Sequence, residues 1–290
     1  MQEFLHQLLS GIASGAIYAS VAVALVTVYK TTHHVNFAQG EMAMFSTYVC
    51  WALLEAGLPY WVAFAATLVI SFVGALVLHR VVIARVADQP VLTVVIVMIG
   101  IILVLRSVAG WVWTNTIRAF PSPFPSDAPY ASVYLSAHEV GMVAVTLVTL
   151  GCAFAFFRYT ALGLAMRAAA ENPVSSRLVG IRVDWMLAMG WGLAAVFGAV
   201  AGMMAAPLVY LEPNMMTGVI LYGFAGALLG GIENPWGAVT GGFAVGVIEN
   251  LAGAYVVGTE VKLAVALLLI VGVLVFRPDG VFGRRVVARV

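Results

Sequence analysis

The sequence predicts an all-α fold, a polytopic membrane bundle of about 8–10 transmembrane helices, some of them broken. Three observations predict it. The 290 residues are 63% hydrophobic and only 9% charged, with a mean hydropathy of +1.04. A soluble domain carries about 25% charged residues, so the bilayer is the natural solvent for this chain. The apolar residues also fall in long runs, and those runs lack the period-2 alternation of a barrel strand, which leaves helices.

The runs lie near 8–29, 38–56, 60–79, 90–113, 138–157, 185–208, 215–231, 236–257 and 260–276. The first follows Met1 to Gln7, which contains Glu3 and no Lys or Arg. It is longer than a signal-peptide core and reads as a retained helix. The second, 38–56, opens on V-N-F-A-Q-G-E-M, residues 35–42, where two amides, a glycine and a carboxylate interrupt an apolar chain. Gly40 can break regular helix there, and Asn36 and Gln39 can satisfy the freed backbone groups, which lipid cannot do. The runs 38–56 and 215–231 are short or glycine-broken, which keeps the count between eight and ten.

Segment 114–137 contains F-P-S-P-F-P-S-D-A-P, with four prolines between Pro121 and Pro129. Proline at that density excludes helix and favours an extended connector. It divides one transmembrane domain, 1–290, into halves 1–113 and 138–290.

Charge placement orients the bundle. With the C-terminus inside, the inside segments hold Lys30, Arg80, Arg85, Arg158, Arg167, Arg177, Arg182, Arg277, Arg284, Arg285 and Arg289, 11 of the 14 basic residues. The outside segments hold only Arg118; Arg106 and Lys262 fall within predicted helices. This asymmetry places the C-terminus in the cytoplasm. An even helix count would reverse the N-terminus alone.

Asn36-Phe37-Ala38-Gln39-Gly40 and Asn214-Met215-Met216-Thr217-Gly218 both read N-x-x-x-G, and both open a short helix. One lies inside and the other outside, as in an inverted repeat. Five residues with two identities are equally compatible with coincidence.

Polar groups inside spans are costly and usually functional. Tyr18, Asn36, Gln39, Gly40, Glu41, Asn214, Gly218, Glu249 and Asn250 are the candidates to face a translocation pathway. Arg106 and Glu249 are candidates for a structural ion pair, which would reduce the desolvation cost of both. Glycines recur four apart at Gly11/Gly15, Gly198/Gly202, Gly226/Gly230, Gly237/Gly241 and Gly242/Gly246, a spacing that lets helix backbones approach closely.

Other chemistries find little support. A net charge of +1 without a basic patch argues against a nucleic-acid partner. Cys50 and Cys152 both lie in apolar runs and read as small buried hydrophobes, not metal ligands. No Ser/His/Asp order or H-E-x-x-H motif points to catalysis. The lysines Lys30 and Lys262 do not sit in a G-x-x-x-x-G-K-[ST] loop, so this chain carries no phosphate cradle.

The longest inside loop is 158–184. Thr160 can cap a short helix carrying Leu164, Met166 and Arg167, and Asn172-Pro173 interrupts it. A second, Val174 to Val179, ends at Gly180, a good C-cap residue. Two short amphipathic helices there make either a docking surface or a membrane-surface loop.

T-A-L-G-L-A-M-R-A-A-A-E-N-P-V-S-S-R-L-V-G-I resembles the cytoplasmic coupling segment of the permease subunits of branched-chain amino-acid ABC importers. V-N-F-A-Q-G-E-M resembles their N-F-A-H-G-[DE] signature, with Gln39 where histidine is usual, so a titratable group is not implied there. G-G-I-E-N-P-W-G-A-V-T-G-G, residues 230–242, and F-R-P-D-G-V-F-G, residues 276–283, resemble their late glycine-rich segment and last helix exit. The four fall in the family's order and span most of the chain, closer to the first of its two permease types.

The resemblance implies a bacterial inner-membrane permease for branched-chain or other hydrophobic amino acids or related small solutes. It also implies partners: a second, usually different, permease, two cytoplasmic ATPases and a periplasmic binding protein. This chain would bind no cofactor, and ATP would be used by the partner subunits. Arg167, Glu171, Asn172, Pro173, Arg177 and Gly180 would form the ATPase-coupling surface. The alternatives are a stand-alone secondary transporter or channel, which needs no ATPase dock, and an intramembrane enzyme, which lacks a catalytic constellation.

Overall fold

A computed structural model of the chain describes residues 2–87, 89–126 and 134–283. Its helices in order are α1 (Gln2–Thr32), α2 (Gln39–Glu55), α3 (Tyr60–Leu78), α4 (Val91–Trp113), α5 (Ala137–Tyr159), α6 (Ala161–Glu171), α7 (Pro173–Leu178), α8 (Val183–Val209), α9 (Met216–Gly230), α10 (Pro235–Ala252) and α11 (Lys262–Phe276). Each of the nine expected runs is a helix. π-Helical turns extend α3 through His79–Ile83 and α10 through Gly253–Val257. With those extensions, α1, α3, α4, α5, α8 and α10 are, among the described residues, the 6 helices long and apolar enough to cross a membrane. No strand occurs among the described residues, only an isolated antiparallel bridge between Arg118 and Leu211.

Local chemistry sets the ends. Pro59 and Pro90 precede α3 and α4, where a missing N–H costs nothing. Ser136 and Glu139 form a capping box on α5. Asn234 caps α10 by accepting from the Trp236 N–H at 3.1 Å. The α2–α3 turn uses Gly57 at φ 89°, a conformation with little cost only for glycine.

α1 is the spine. Every residue from Gly15 to Val28 is buried, against α10, α8, α9 and α5. Glycine allows that proximity. A Cβ on Gly246 would lie 2.4 Å from Gly15 Cα, and one on Gly242 would lie 2.4 Å from Ala19 Cα. The same logic joins α9 to α10, where a Cβ on Gly226 would lie 2.7 Å from Gly242 Cα. All five glycine pairs seen in the sequence sit at such crossings.

α3, α4, α5 and α11 lie at the periphery and expose large apolar side chains, among them Ile70, Leu103, Val148 and Leu268. That suits contact with lipid or a protein partner. Cys50 is buried as expected, but Cys152 is exposed on α5, because that helix turns most of its surface outward.

The helices alternate in direction, so the connections collect at two ends. One end holds the α6–α7 segment and the basic residues Lys30, Arg80, Arg85, Arg158, Arg167, Arg177, Arg182 and Arg277. Arg284, Arg285 and Arg289 lie outside the described residues. The other end holds Arg118 and the connector. The described part of that connector is folded onto the bundle: Phe120 is buried, Ser122 Oγ lies 2.9 Å from His138 Nδ1, and the Phe124 ring fills the space above Gly141.

Gly246→Val should therefore collapse the α1–α10 crossing, lowering stability by about 1–3 kcal/mol or more. Gly151→Val, on α5 with open space at its Cβ, should leave it nearly unchanged. Thermal unfolding of the two detergent-purified variants checks this; equal losses would contradict it.

Candidate functional site

Two polar clusters interrupt the apolar interior. The first is built from the segment before α2. Residues 33–38 leave helical geometry after His33, at φ 55°. Asn36 is fully buried and holds the break together: its Oδ1 accepts the Ala38 N–H at 3.1 Å, and its Nδ2 donates to Gln39 Oε1 at 3.1 Å. Gln39 then reaches across to α8, donating from Nε2 to the Ala194 carbonyl at 2.9 Å. Room for it exists because residue 198 is glycine; a Cβ there would lie 2.4 Å from Gln39 Nε2. The amides thus satisfy backbone that lipid could not.

Gly40 differs from expectation. It is a helical residue of α2, and the break falls before it. Its missing side chain lets α9 approach, with Ile220 Cβ 3.3 Å from where a Cβ would sit.

Glu41 lies on the next turn face. It accepts a charge-assisted hydrogen bond from Arg106 Nη2 of α4. The expected Arg106–Glu249 pair is therefore incorrect. Similar depth in the membrane does not make two helices neighbours: α4 packs on α2, whereas α10 packs on α1, α9 and α11. Phe37, in the middle of this segment, points outward at 46% exposure.

The second cluster lies toward the opposite end, where α10 gives way to its π turn. Glu249 accepts from the Tyr18 hydroxyl at 3.1 Å and lies 3.4 Å from Lys262 Nζ of α11. Lys262 also donates to Asn250 Oδ1 at 2.9 Å. Asn250 Nδ2 in turn donates to the Gln7 carbonyl at 2.7 Å and to Gln7 Oε1 at 2.9 Å. The Tyr18 ring stacks on Tyr222 of α9, with centroids 4.8 Å apart. Four helices meet in this network. The stem of Lys262 lies over Gly253, where a Cβ would come within 2.4 Å of its Cε.

Tyr18, Glu249 and Asn250 are thus brought together, as are Asn36 and Gln39, whereas Glu41 faces Arg106 of α4. Asn214 stands apart from both. It is exposed in the turn before α9, and its backbone carbonyl accepts from Thr217 at 3.0 Å. Gly218 is half-buried, with Tyr222 4.0 Å from where its Cβ would lie. Sequence reasoning missed Lys262, Gln7 and Tyr222 as members of the second cluster. The irregular turn between Glu249 and Lys262 hides their pairing from any helical spacing.

The third feature is the α6–α7 segment. Thr160 Oγ1 caps α6 by accepting from Gly163 N at 2.9 Å, and Asn172 Oδ1 caps α7 by accepting from Ser175 N at 2.9 Å. Pro173 is the first residue of α7, and Gly180 turns the chain at φ 86°. Gly163, Met166 and Ala169 bury one face of α6 against Val183 and Met186 of α8. The other face leaves Leu164, Arg167 and Glu171 exposed, beside Leu178 at 84% and Val179 at 77%. Arg177 pairs with Asp184 at 3.2 Å.

The chain matches the family described as "Branched-chain amino acid transport system / permease component" over residues 7–274. It is 31% identical to the high-affinity branched-chain amino acid transport system permease protein LivH of Escherichia coli K12, over 99% of this chain and 98% of that one. It is 28% identical to the corresponding BraD protein of Pseudomonas aeruginosa, again over 99% and 98%. A probable branched-chain amino acid transport permease protein LivH of Methanocaldococcus jannaschii is 26% identical over 94% and 92%. No solved structure gives a significant match.

The ion pair yields a direct test. Arg106→Ala, which strands the Glu41 carboxylate, should destabilise the purified chain by about 1–3 kcal/mol. Adding Glu41→Gln should recover most of that loss, and adding Glu249→Gln should recover none. Rescue by Glu249→Gln in thermal unfolding would contradict the observed pairing.

Proposed function

This chain belongs to the family of branched-chain amino acid transport permease components, and from that premise we propose that it forms half of the translocation pathway of an ATP-driven importer. The cargo is a branched-chain or other hydrophobic amino acid, or a related small organic solute. A second, related permease supplies the other half. Two cytoplasmic ATPases hydrolyse ATP beneath the pair, and a soluble binding protein delivers solute from outside. The assembly sits in the bacterial inner membrane with the C-terminus of this chain in the cytoplasm.

The exposed face of α6 and α7 carries this reading. It presents apolar side chains and free charges at the basic end of the bundle, which the positive-inside rule places in the cytoplasm. A contiguous apolar patch rimmed by charge marks a protein contact. The coupling surface is Arg167, Glu171, Asn172, Pro173, Arg177 and Gly180. Arg167 and Glu171 contact the ATPase; Asn172, Pro173 and Gly180 hold the two helices at a fixed angle; Arg177 ties α7 to α8 through Asp184. An ATPase that moves this segment moves α8, and through the Gln39–Ala194 bond it moves α2. The pathway side chains are drawn from Tyr18, Asn36, Gln39, Gly40, Glu41, Asn214, Gly218, Glu249 and Asn250.

Purification of this chain from its native membrane should retain two ATPase subunits and a second permease. Glu171→Ala and Gly180→Trp should each lower uptake at least about fivefold without lowering the amount of inserted protein. Gly180→Trp acts through the backbone, since L-residues resist its positive φ at about 1–2 kcal/mol. Full uptake by both variants, or purification without any ATPase, would contradict the coupling role.

A further inference from the structure

At the end of the bundle away from α6 and α7, the α2–α3 hairpin and the connector enclose a cleft of about 550 Å³. Its walls are Trp51, Leu54 and Tyr60 on the hairpin side, with Phe120 and Ser122 on the connector side, and Glu55 stands at its edge. We propose that this cleft receives a cationic side chain, lysine or arginine, from the soluble binding protein that delivers the solute. The inference rests on the permease reading above and adds the site and chemistry of that contact.

Three observations carry it. The connector wall is preorganised. Arg118 and Leu211 exchange backbone bonds at 3.0 and 2.9 Å, and Phe120 is buried with its ring 6.3 Å from that of Tyr60. A docking partner therefore meets a formed surface and need not order a loop.

The charges are unequal. The Arg118 guanidinium is already committed: it lies 4.4 Å from the Trp51 ring centroid, and its Nη2 donates to the Trp113 carbonyl at 2.9 Å. The Glu55 carboxylate is exposed and has neither a hydrogen bond nor an ion pair among the described residues. Glu3, Glu139, Glu212 and Glu260 also lie near this end without an ion pair among the described residues, but none of them lines the cleft.

The lining supplies the remaining recognition. Aromatic rings attract a cation over their faces, most often that of arginine. Aromatic clusters next to a charge are the usual anchors of protein interfaces. A long side chain from a flat partner surface fits such a cleft better than a flat patch does.

The test uses the complete importer in nanodiscs with the binding protein that supports its uptake. Affinity of that protein for the importer is measured alongside ATPase stimulation at saturation. Glu55→Lys should weaken affinity about tenfold while leaving saturated stimulation unchanged, and raising salt should weaken the wild type more than Glu55→Gln. A surface Lys→Glu or Arg→Glu change in the binding protein should restore affinity to Glu55→Lys. Unchanged affinity in Glu55→Lys, or failure of every such charge reversal to restore it, overturns the proposal. Glu55-dependent binding of free leucine without the binding protein also overturns it, since the cleft would then hold solute. A wild-type importer that binds no soluble protein at all would instead overturn the permease reading itself.

Discussion

The bundle depends on how closely α1 and α10 approach. α1 is buried over its central turns, so its partners must press against it with little side chain between. Gly15 and Gly246, with Gly242 against Ala19, permit backbone contact at a distance any Cβ would forbid. Without a hydrophobic force between helices in lipid, such packing is the main source of cohesion. The stack continues from α10 to α9 through Gly226 and Gly242, so three helices share one glycine-lined seam. On its other side α1 packs against α8, and Gly198 and Gly202 bring α2 against α8.

Around that seam, α2, α9 and α11 are short. At about 1.5 Å per residue they span roughly 22–26 Å, less than the ~30 Å of hydrocarbon. Irregular backbone precedes each, and it cannot be left to lipid. Asn36 and Gln39 satisfy it before α2, and Lys262, Glu249 and Asn250 fasten the start of α11. The same polar groups that would be costly in an unbroken helix are what make broken helices tolerable. They also link helices that would otherwise meet only through apolar contacts, which gives a motion of one element a route to others.

Much of this was legible in the sequence. The nine runs became nine helices because a membrane span needs a fixed length of apolar residues, which composition reveals directly. The glycine pairs marked crossings because spacing by four puts both residues on one face. The caps at Thr160 and Asn172 and the turn at Gly180 followed from local backbone chemistry. What stayed hidden depended on which helices are neighbours. Arg106 and Glu249 share a depth but not an interface, and Lys262 reaches Glu249 only because an irregular turn folds α11 back. Nothing in the spacing of Gln39 points to the Ala194 carbonyl. The proline-rich connector reads as extended, but its packing onto the bundle through Phe120 and Phe124 depends on tertiary contacts.

A bundle with a glycine-packed centre, polar ties at its helix breaks and an amphipathic pair of helices at its basic end is suited to being driven from outside itself. The energy source is the central question. The most direct measurement is uptake of radiolabelled leucine into liposomes that contain this chain with its co-purified partners and its binding protein. Uptake that requires internal ATP and the binding protein, and that persists when ion gradients are collapsed, is the predicted result. Uptake by this chain alone under an ion gradient, with no need for ATP, would contradict the account.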